Sequence, residues 1–520
     1  MYARSKARLI GASALVTLFL AACGGGDPEP QLPAGVVVRD AADVAVEATD
    51  VSASASHVQA LAARPTQTLI QRENAKTASQ GVSGEWGIGA AEQAYDGEIE
   101  GYASDTSVAR GDRIQLYVNV KDPGRDPWFS MRLFRVGWYG GAGGRQVIPT
   151  LYWFSTAQKA CPMVDTANRT IECNWRPSMD LWLPAFSDST LIMSGLYLAK
   201  ITTARGKSSY ITFVVRDDDR SGDLLFQASV TTYQAYNVWG GHSLYQTTDP
   251  SGIPAHRVSF NRPYKDGQGA GHAPWWEAGA VRFLERDGYE VLYSTNIDTH
   301  TKPKRLRDFK GFLSVGHDEY WTSAMYDAIQ NARDRGVNLA FLGANTAYWA
   351  IRLEPSTSGD PRRTIAAFKY WPQLDPKPND PTKMWRQMNR PESALVGVQY
   401  DYDPFNGDIV MAAGCGNSWI CSGTGLVPGS VLPGLLGYEV DTVTQYSPAN
   451  IQVLASSPYT KNGASGSYYA HLTYYTASSG AGVFATGSMN WNFGLDPYSG
   501  LANPAAQQMT RNVLNRYVGR

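Results

Sequence analysis

The sequence predicts an exported chain of α/β plus β class, with a β-sandwich of immunoglobulin-like size, then a parallel sheet covered by helices, then a strand-rich C-terminal part. Three observations predict it. Between residues 99 and 216, short runs alternate apolar and polar side chains and are separated by Gly, Asp and Pro, as in the strands of a sandwich. From residue 224 the runs become almost continuously apolar and alternate with helix-length segments, as in parallel strands buried on both faces. Beyond about Asp375 the chain turns loop- and strand-rich again until a final helical segment. The resulting division is a signal segment at 1–22, a flexible tether at 23–84, the β-sandwich at 85–216 and the α/β unit at 217–520.

The first segment carries Arg4, Lys6 and Arg8, an apolar core over 9–20, and then Leu20-Ala21-Ala22-Cys23. This order is that of a lipoprotein signal, and cleavage would leave Cys23 acylated at the new N-terminus. The competing reading is an ordinary signal peptide that ends near a cysteine. No later stretch reaches the roughly 20 apolar residues needed to span a bilayer, so lipid chains would supply the membrane attachment. Gly24 rather than aspartate follows the cysteine, which points to the outer membrane, facing the periplasm. Residues 23–84 are small, polar and rich in Ala, Pro and Ser, a composition that reads as a tether, with a short helix allowed in 42–69.

In the sandwich, strands are expected at 99–103, 114–120, 131–136, 195–201 and 210–215, with a turn over 107–112. In the α/β unit, 224–230 reads as a buried strand, 275–286 as a helix closed by Gly288, and 289–293 as the next strand. Phe312-Leu-Ser-Val315 is a further strand, Asn331-Ala-Arg-Asp-Arg-Gly336 ends a helix, and 337–343 is another strand. Residues 468–476 and 482–487 read as strands and 505–517 as the closing helix. Of the four cysteines after Cys23, Cys161 with Cys173 and Cys415 with Cys421 are the short-range pairs favoured in an exported protein. Four cysteines allow three connectivities, and unpaired thiols are the competing reading; neither pair has a histidine at zinc-ligand spacing.

The formal net charge is −1, which gives no basic face for nucleic acid. The chemistry concentrates instead in Gly316-His317-Asp318-Glu319-Tyr320-Trp321, at the end of a buried strand, beside Asn345 at the end of the next. Ligands of open α/β sheets gather at such strand ends. Along an extended backbone His317 and Glu319 point to one face, so both can address one crevice. The competing reading makes these residues the cap of a helix that begins near Thr322.

Ile99-Glu-Gly-Tyr-Ala-Ser104, Arg135-Val-Gly-Trp-Tyr-Gly-Gly-Ala-Gly-Gly144, Gln234-Ala-Tyr-Asn-Val-Trp-Gly-Gly241, Gly316-His-Asp-Glu-Tyr-Trp321 and Gly343-Ala-Asn345 together resemble the large (beta) subunit family of N,N-dimethylformamidase, from about Ile99 to the C-terminus. The resemblance implies a β-sandwich followed by an α/β domain related to the glutamine amidotransferase fold. It also implies hydrolysis of an N-substituted formamide at a mononuclear iron held by two tyrosines and a glutamate. Carried over motif by motif, Glu319, Tyr236 and Tyr197 would be the metal ligands. His317, Asn345, Lys369 and Glu439 would be the remaining site residues. Hard phenolate and carboxylate donors suit a trivalent first-row ion such as Fe3+. His317 could then shuttle a proton to the departing amine, and Asn345 could hold the substrate carbonyl.

Among the 29 tyrosines a strand tyrosine is more often core than ligand, and Lys369 could equally pair with a surface acid. Cysteine catalysis is disfavoured, because Cys415 is the only cysteine between Cys173 and Cys421 and stands in a disulfide-like loop. The chain has no Gly-x-Ser-x-Gly elbow, no His-Glu-x-x-His helix and no phosphate-binding glycine loop. The expectation is therefore a lipid-anchored, metal-dependent amidohydrolase with a small amide as substrate. The alternative is a non-catalytic periplasmic binding lipoprotein for a saccharide or peptide. Self-association into a homo-oligomer is left open, and nothing in the chain encodes the family's small subunit.

Overall fold

The computed structural model describes residues 67–185 and 191–520. The signal segment, Cys23 and most of the tether lie outside them. Folded structure begins well before residue 84, which corrects the tether boundary. Leu69–Asn74 is a helix whose first turn is closed by Thr68, with its side chain accepting from the Gln71 N–H. The Glu73 carboxylate of this helix is fully buried and accepts from Arg145 Nε at 2.6 Å and the Tyr139 hydroxyl at 2.7 Å. A buried charge needs such partners, and Glu73 acts with Ile70, buried in the main core, and Asn74, whose side chain accepts from the Trp138 and Tyr139 N–H groups, to hold the segment in place.

Ile99–Ala103, Arg113–Val120 and Met179–Trp182 form one antiparallel sheet. A second sheet places Ser208–Arg216 beside Gly195–Thr203, and that strand beside Trp128–Val136, which also pairs with Gly144–Gln146 and Leu151–Phe154. Period-two alternation decides which side chains meet: Ile114, Leu116 and Val118 from the first sheet share one core with Met131, Leu133, Tyr197, Ala199 and Ile201 from the second. The stretch 107–112, expected as a turn, opens with a short strand, Ser107–Ala109, paired parallel to the end of Ser208–Arg216.

The central sheet runs Val291–Thr295, Gly222–Ala228, Phe309–His317, Asn338–Ala344, Gly482–Ala485, Tyr468–Thr476 and Gln452–Tyr459. The first five strands are parallel, Tyr468–Thr476 runs against them, and Gln452–Tyr459 pairs antiparallel with it. Its apolar runs are continuous because both faces are covered. Leu224, Phe226, Leu313, Val315 and Leu342 enter one core with the helices Ala278–Arg286 and Pro504–Val518. Leu225, Phe312, Leu339 and Phe341 enter the other with Ser323–Arg333. The expected helix 275–286 is realised as Ala278–Arg286, preceded by the wider helical turn Ala273–Glu277. Cys161–Cys173 and Cys415–Cys421 are paired, with Cα separations of 4.4 and 5.6 Å.

Two glycines bring the strand ends close enough to build a site. Phe309–His317 and Asn338–Ala344 run in register so that Gly316 faces Gly343 and His317 faces Ala344. A Cβ on Gly343 would stand 2.0 Å from the Gly316 carbonyl oxygen, and one on Gly316, whose φ is +73°, would stand 2.6 Å from the Trp276 Cβ. Only glycine fits at either position. This is the physical content of the Gly-His and Gly-Ala-Asn motifs.

Candidate active site

Glu319 is the centre of the cluster. Its N–H donates to Thr232 Oγ1 at 3.0 Å and its carbonyl accepts from the Trp349 N–H at 3.0 Å, so the backbone is held from two sides. Its carboxylate is 1% exposed. Oε2 accepts from the Tyr236 hydroxyl at 2.8 Å, and Oε1 accepts from the Tyr245 hydroxyl. The two phenol rings stack with centroids 4.5 Å apart. Tyr236 closes the helix Val230–Tyr236. Tyr245 returns to it because the chain reverses through Gly240 and Gly241, at φ +75° and +94°, and the Leu244 N–H then bonds the Ala235 carbonyl at 2.9 Å.

His317 lies between two carboxylates, its Nε2 being 3.1 Å from Glu439 Oε2 and 3.2 Å from Glu319 Oε2, although neither contact has the alignment of a formed hydrogen bond. Burial alone would lower the imidazole pKa; Glu439 first and Glu319 with it overcome that and raise it to about 10. Burial, reinforced by Glu319, holds the Tyr236 and Tyr245 phenols well above their ordinary range. Lys369 places Nζ 3.2 Å from the centre of the Tyr245 ring and donates to the Tyr320 hydroxyl at 3.2 Å. Burial lowers its pKa to about 7, with Glu319 partly opposing. Asn345, at φ +54°, is fixed by its N–H bonding Asp441 Oδ1 at 2.8 Å and leaves its side-chain oxygen buried without a partner.

The structure thus brings together Tyr236, Glu319, His317, Glu439 and Lys369, with Asn345 on the neighbouring strand end. Thr322, not His317 or Glu319, caps the following helix by accepting from the Met325 N–H at 3.2 Å. Tyr197 does not join the cluster, which corrects its assignment as a ligand. Its ring stacks on Phe213 in the sandwich core, and its hydroxyl donates to the Met193 carbonyl at 2.7 Å and accepts from the Met193 N–H at 3.1 Å. The second phenol at Glu319 is Tyr245, which sequence reasoning missed. Asp318, named in the motif but given no separate role, points the opposite way and accepts from Gln227 Nε2, Ser314 Oγ and Asn296 Nδ2 at 2.8, 2.8 and 2.9 Å.

Two phenols and one carboxylate are a hard, oxygen-only donor set of the kind that suits a trivalent first-row ion. Among the described residues no three His, Cys, Asp or Glu side chains are grouped to hold a metal, so a centre at this site depends on the phenols. The residues present therefore fit a single iron held by Tyr236, Tyr245 and Glu319.

The model of the C-terminal region of N,N-dimethylformamidase beta subunit-like proteins matches residues 130–507. The N,N-dimethylformamidase beta subunit of Alcaligenes sp is 24% identical over 339 residues, covering 55% of this chain and 42% of that protein. That of Paracoccus aminophilus is 22% identical over 432 residues, covering 67% and 55%. The chain spans about half the length of these relatives. A solved DNA glycosylase from Pseudomonas fluorescens overlaps 23% of this chain and 30% of its own at 11% identity and a TM-score of 0.14, which carries no argument.

Proposed function

Because the chain belongs to the N,N-dimethylformamidase beta subunit-like family, we propose that it is an iron-dependent hydrolase of a small amide or related C–N bond. The observation that carries this reading is Glu319 with one phenol on each carboxylate oxygen and His317 beside it. Tyr236, Tyr245 and Glu319 would hold the ion. Bound there, iron would polarise the amide carbonyl and acidify water.

The remaining steps belong to the chain's own side chains. Hydrolysis breaks the C–N bond, leaves the water oxygen on the acyl carbon and delivers one proton to the amine. His317 is the group placed to deliver it, since Glu439 and Glu319 beside it favour the protonated imidazole. Asn345 has a buried side-chain oxygen without a partner, which could accept from the attacking water, while its Nδ2 would be the donor to the substrate carbonyl. Lys369 Nζ over the Tyr245 ring, when protonated, would favour negative charge on that phenol.

The N-terminal sequence supports a mature protein anchored through lipid on Cys23, in the outer membrane and facing the periplasm. The paired cysteines suit that oxidising compartment. The test is amine release from N,N-dimethylformamide and other small amides by the purified protein. His317→Ala should abolish release while leaving metal bound. A wild-type protein that holds no metal and releases no amine would overturn the proposal.

A further inference from the structure

A cavity of about 450 Å³ lies where the strands Ile99–Ala103 and Arg113–Val120 of the sandwich face the loop 356–363 of the α/β unit. Small-ligand sites occupy roughly 300–1,000 Å³ and favour such boundaries between domains. None of Tyr236, Tyr245, His317, Glu319, Lys369 and Glu439 lines it, so it is separate from the cluster around Glu319. Its walls are tied together: the Cys173 N–H donates to the Asn261 carbonyl at 2.7 Å, and Arg363 Nη2 donates to the Ala103 carbonyl at 2.9 Å.

Period-two alternation decides what the sandwich presents there. Ile114, Leu116 and Val118 enter the sandwich core, so Gln115 and Tyr117 between them point to the cavity. Tyr117 sits opposite Tyr102 on the neighbouring strand, and the two rings stack with centroids 4.7 Å apart. No other ring contacts Tyr117 among the described residues, and it stays partly exposed. A ring covered on one side offers its other face to an apolar surface of a ligand.

The charges of the wall are arranged unusually. Arg216 and Lys302 are neutralised by Asp218 and Asp298. Asp105, Asp360, Arg362 and Arg363 also line the cavity, yet none makes an ion pair with any described residue. Arg363 is only 6% exposed, and its bonds go to neutral oxygens: Asn261 Oδ1 at 2.8 Å and the Ala103 and Phe260 carbonyls at 2.9 and 3.2 Å. A buried guanidinium without a carboxylate is costly unless another acceptor reaches it. Two cations and two anions held apart on one wall supply donors and acceptors together, with no net charge. An anion would need donors alone and a cation acceptors alone, whereas a hydroxyl both donates and accepts and uses the two kinds at once.

We propose that this cavity binds an uncharged saccharide. The C–H face of one sugar ring packs on Tyr117, and its hydroxyls donate to Asp105 and accept from Arg362 and Arg363. The site does not depend on the hydrolase reading.

Calorimetric titration of the full chain with cellobiose, maltose and N,N′-diacetylchitobiose tests this, with galacturonic acid and trialanine as an anionic and a peptide contrast. At least one of the three neutral disaccharides should bind, one molecule per chain. Tyr117→Ala and Arg362→Ala should each weaken it about tenfold, the size of one aromatic contact or one hydrogen bond to a charged group. Tyr117→Phe keeps the ring and should retain binding. Arg362 is exposed, so its variant should unfold at the wild-type temperature and keep wild-type metal content and amine release. Failure of all three disaccharides to bind, binding that Tyr117→Ala and Arg362→Ala leave unchanged, or binding of galacturonic acid or trialanine in their place overturns the proposal.

Discussion

Asp318→Asn is a nearly isosteric change whose cost can be worked from the hydrogen bonds around it. The wild-type carboxylate accepts three donors at 2.8, 2.8 and 2.9 Å, from Gln227, Ser314 and Asn296. Three donors fit an ionised acceptor, not an amide. In the variant one amide N–H must face the Gln227 or the Asn296 amide. Asn296 cannot flip, because its oxygen accepts from the Thr231 N–H at 3.2 Å, and flipping Gln227 makes the Thr299 hydroxyl an acceptor and moves the unpaired donor to that hydroxyl. One charge-assisted bond is lost and one or two buried donors are left unpaired, so the expected destabilisation is about 2–4 kcal/mol. Because Asp318 pins the turn between His317 and Glu319, metal retention should fall as well. Denaturant unfolding measures the first effect, read as a lower midpoint with an unchanged slope. Metal analysis measures the second. A loss below about 1 kcal/mol would refute the claim that this carboxylate anchors the turn.

Other perturbations probe the scaffold, the pH response and the anchor. Glu285 and Arg135 are both fully buried and doubly bonded, at 2.5 and 2.9 Å, so Glu285→Gln strands a guanidinium and should cost about 3–5 kcal/mol by denaturation; a wild-type midpoint would show that Glu73 neutralises Arg135 alone. Burial raises the Glu277 carboxyl to about 8 from an ordinary 4.5, so its contribution to stability is complete below pH 4.5 and disappears as pH rises through 8. Glu277→Gln should remove that decline, worth up to about 5 kcal/mol, and parallel stability curves for variant and wild type between pH 5 and 9 would contradict it. Cys23→Ser should yield unprocessed precursor or protein released from membranes, and normal membrane attachment with an intact lipid would show a different anchor.

The sandwich and the parallel sheet were legible because burial on one face leaves an alternating pattern and burial on two faces leaves a continuous one. Glu319, His317, Tyr236 and Glu439 were legible through motifs, and the structure gathers them. Tyr245 was not, since one tyrosine among 29 carries no mark until the Gly240–Gly241 reversal lays it over Tyr236. The misplacement of Tyr197 was correctable from its own strand. Tyr197, Ala199 and Ile201 enter the sandwich core while Leu196 and Leu198 enter the other, so parity already pointed its ring inward. The helix Leu69–Asn74 escaped notice because its docking residues, buried Ile70 and Glu73 with Asn74, form no apolar periodicity in so short a segment.

In the proposed iron centre Tyr245 joins Tyr236 and Glu319, and Tyr197 contributes nothing. Metal content and the visible phenolate-to-iron band, measured on wild type, Tyr245→Phe and Tyr197→Phe, test it most directly. The wild type should carry one iron and show the band, Tyr245→Phe should lose both, and folded Tyr197→Phe should keep both. Full iron and an unchanged band in Tyr245→Phe, or their loss from a folded Tyr197→Phe, would contradict it.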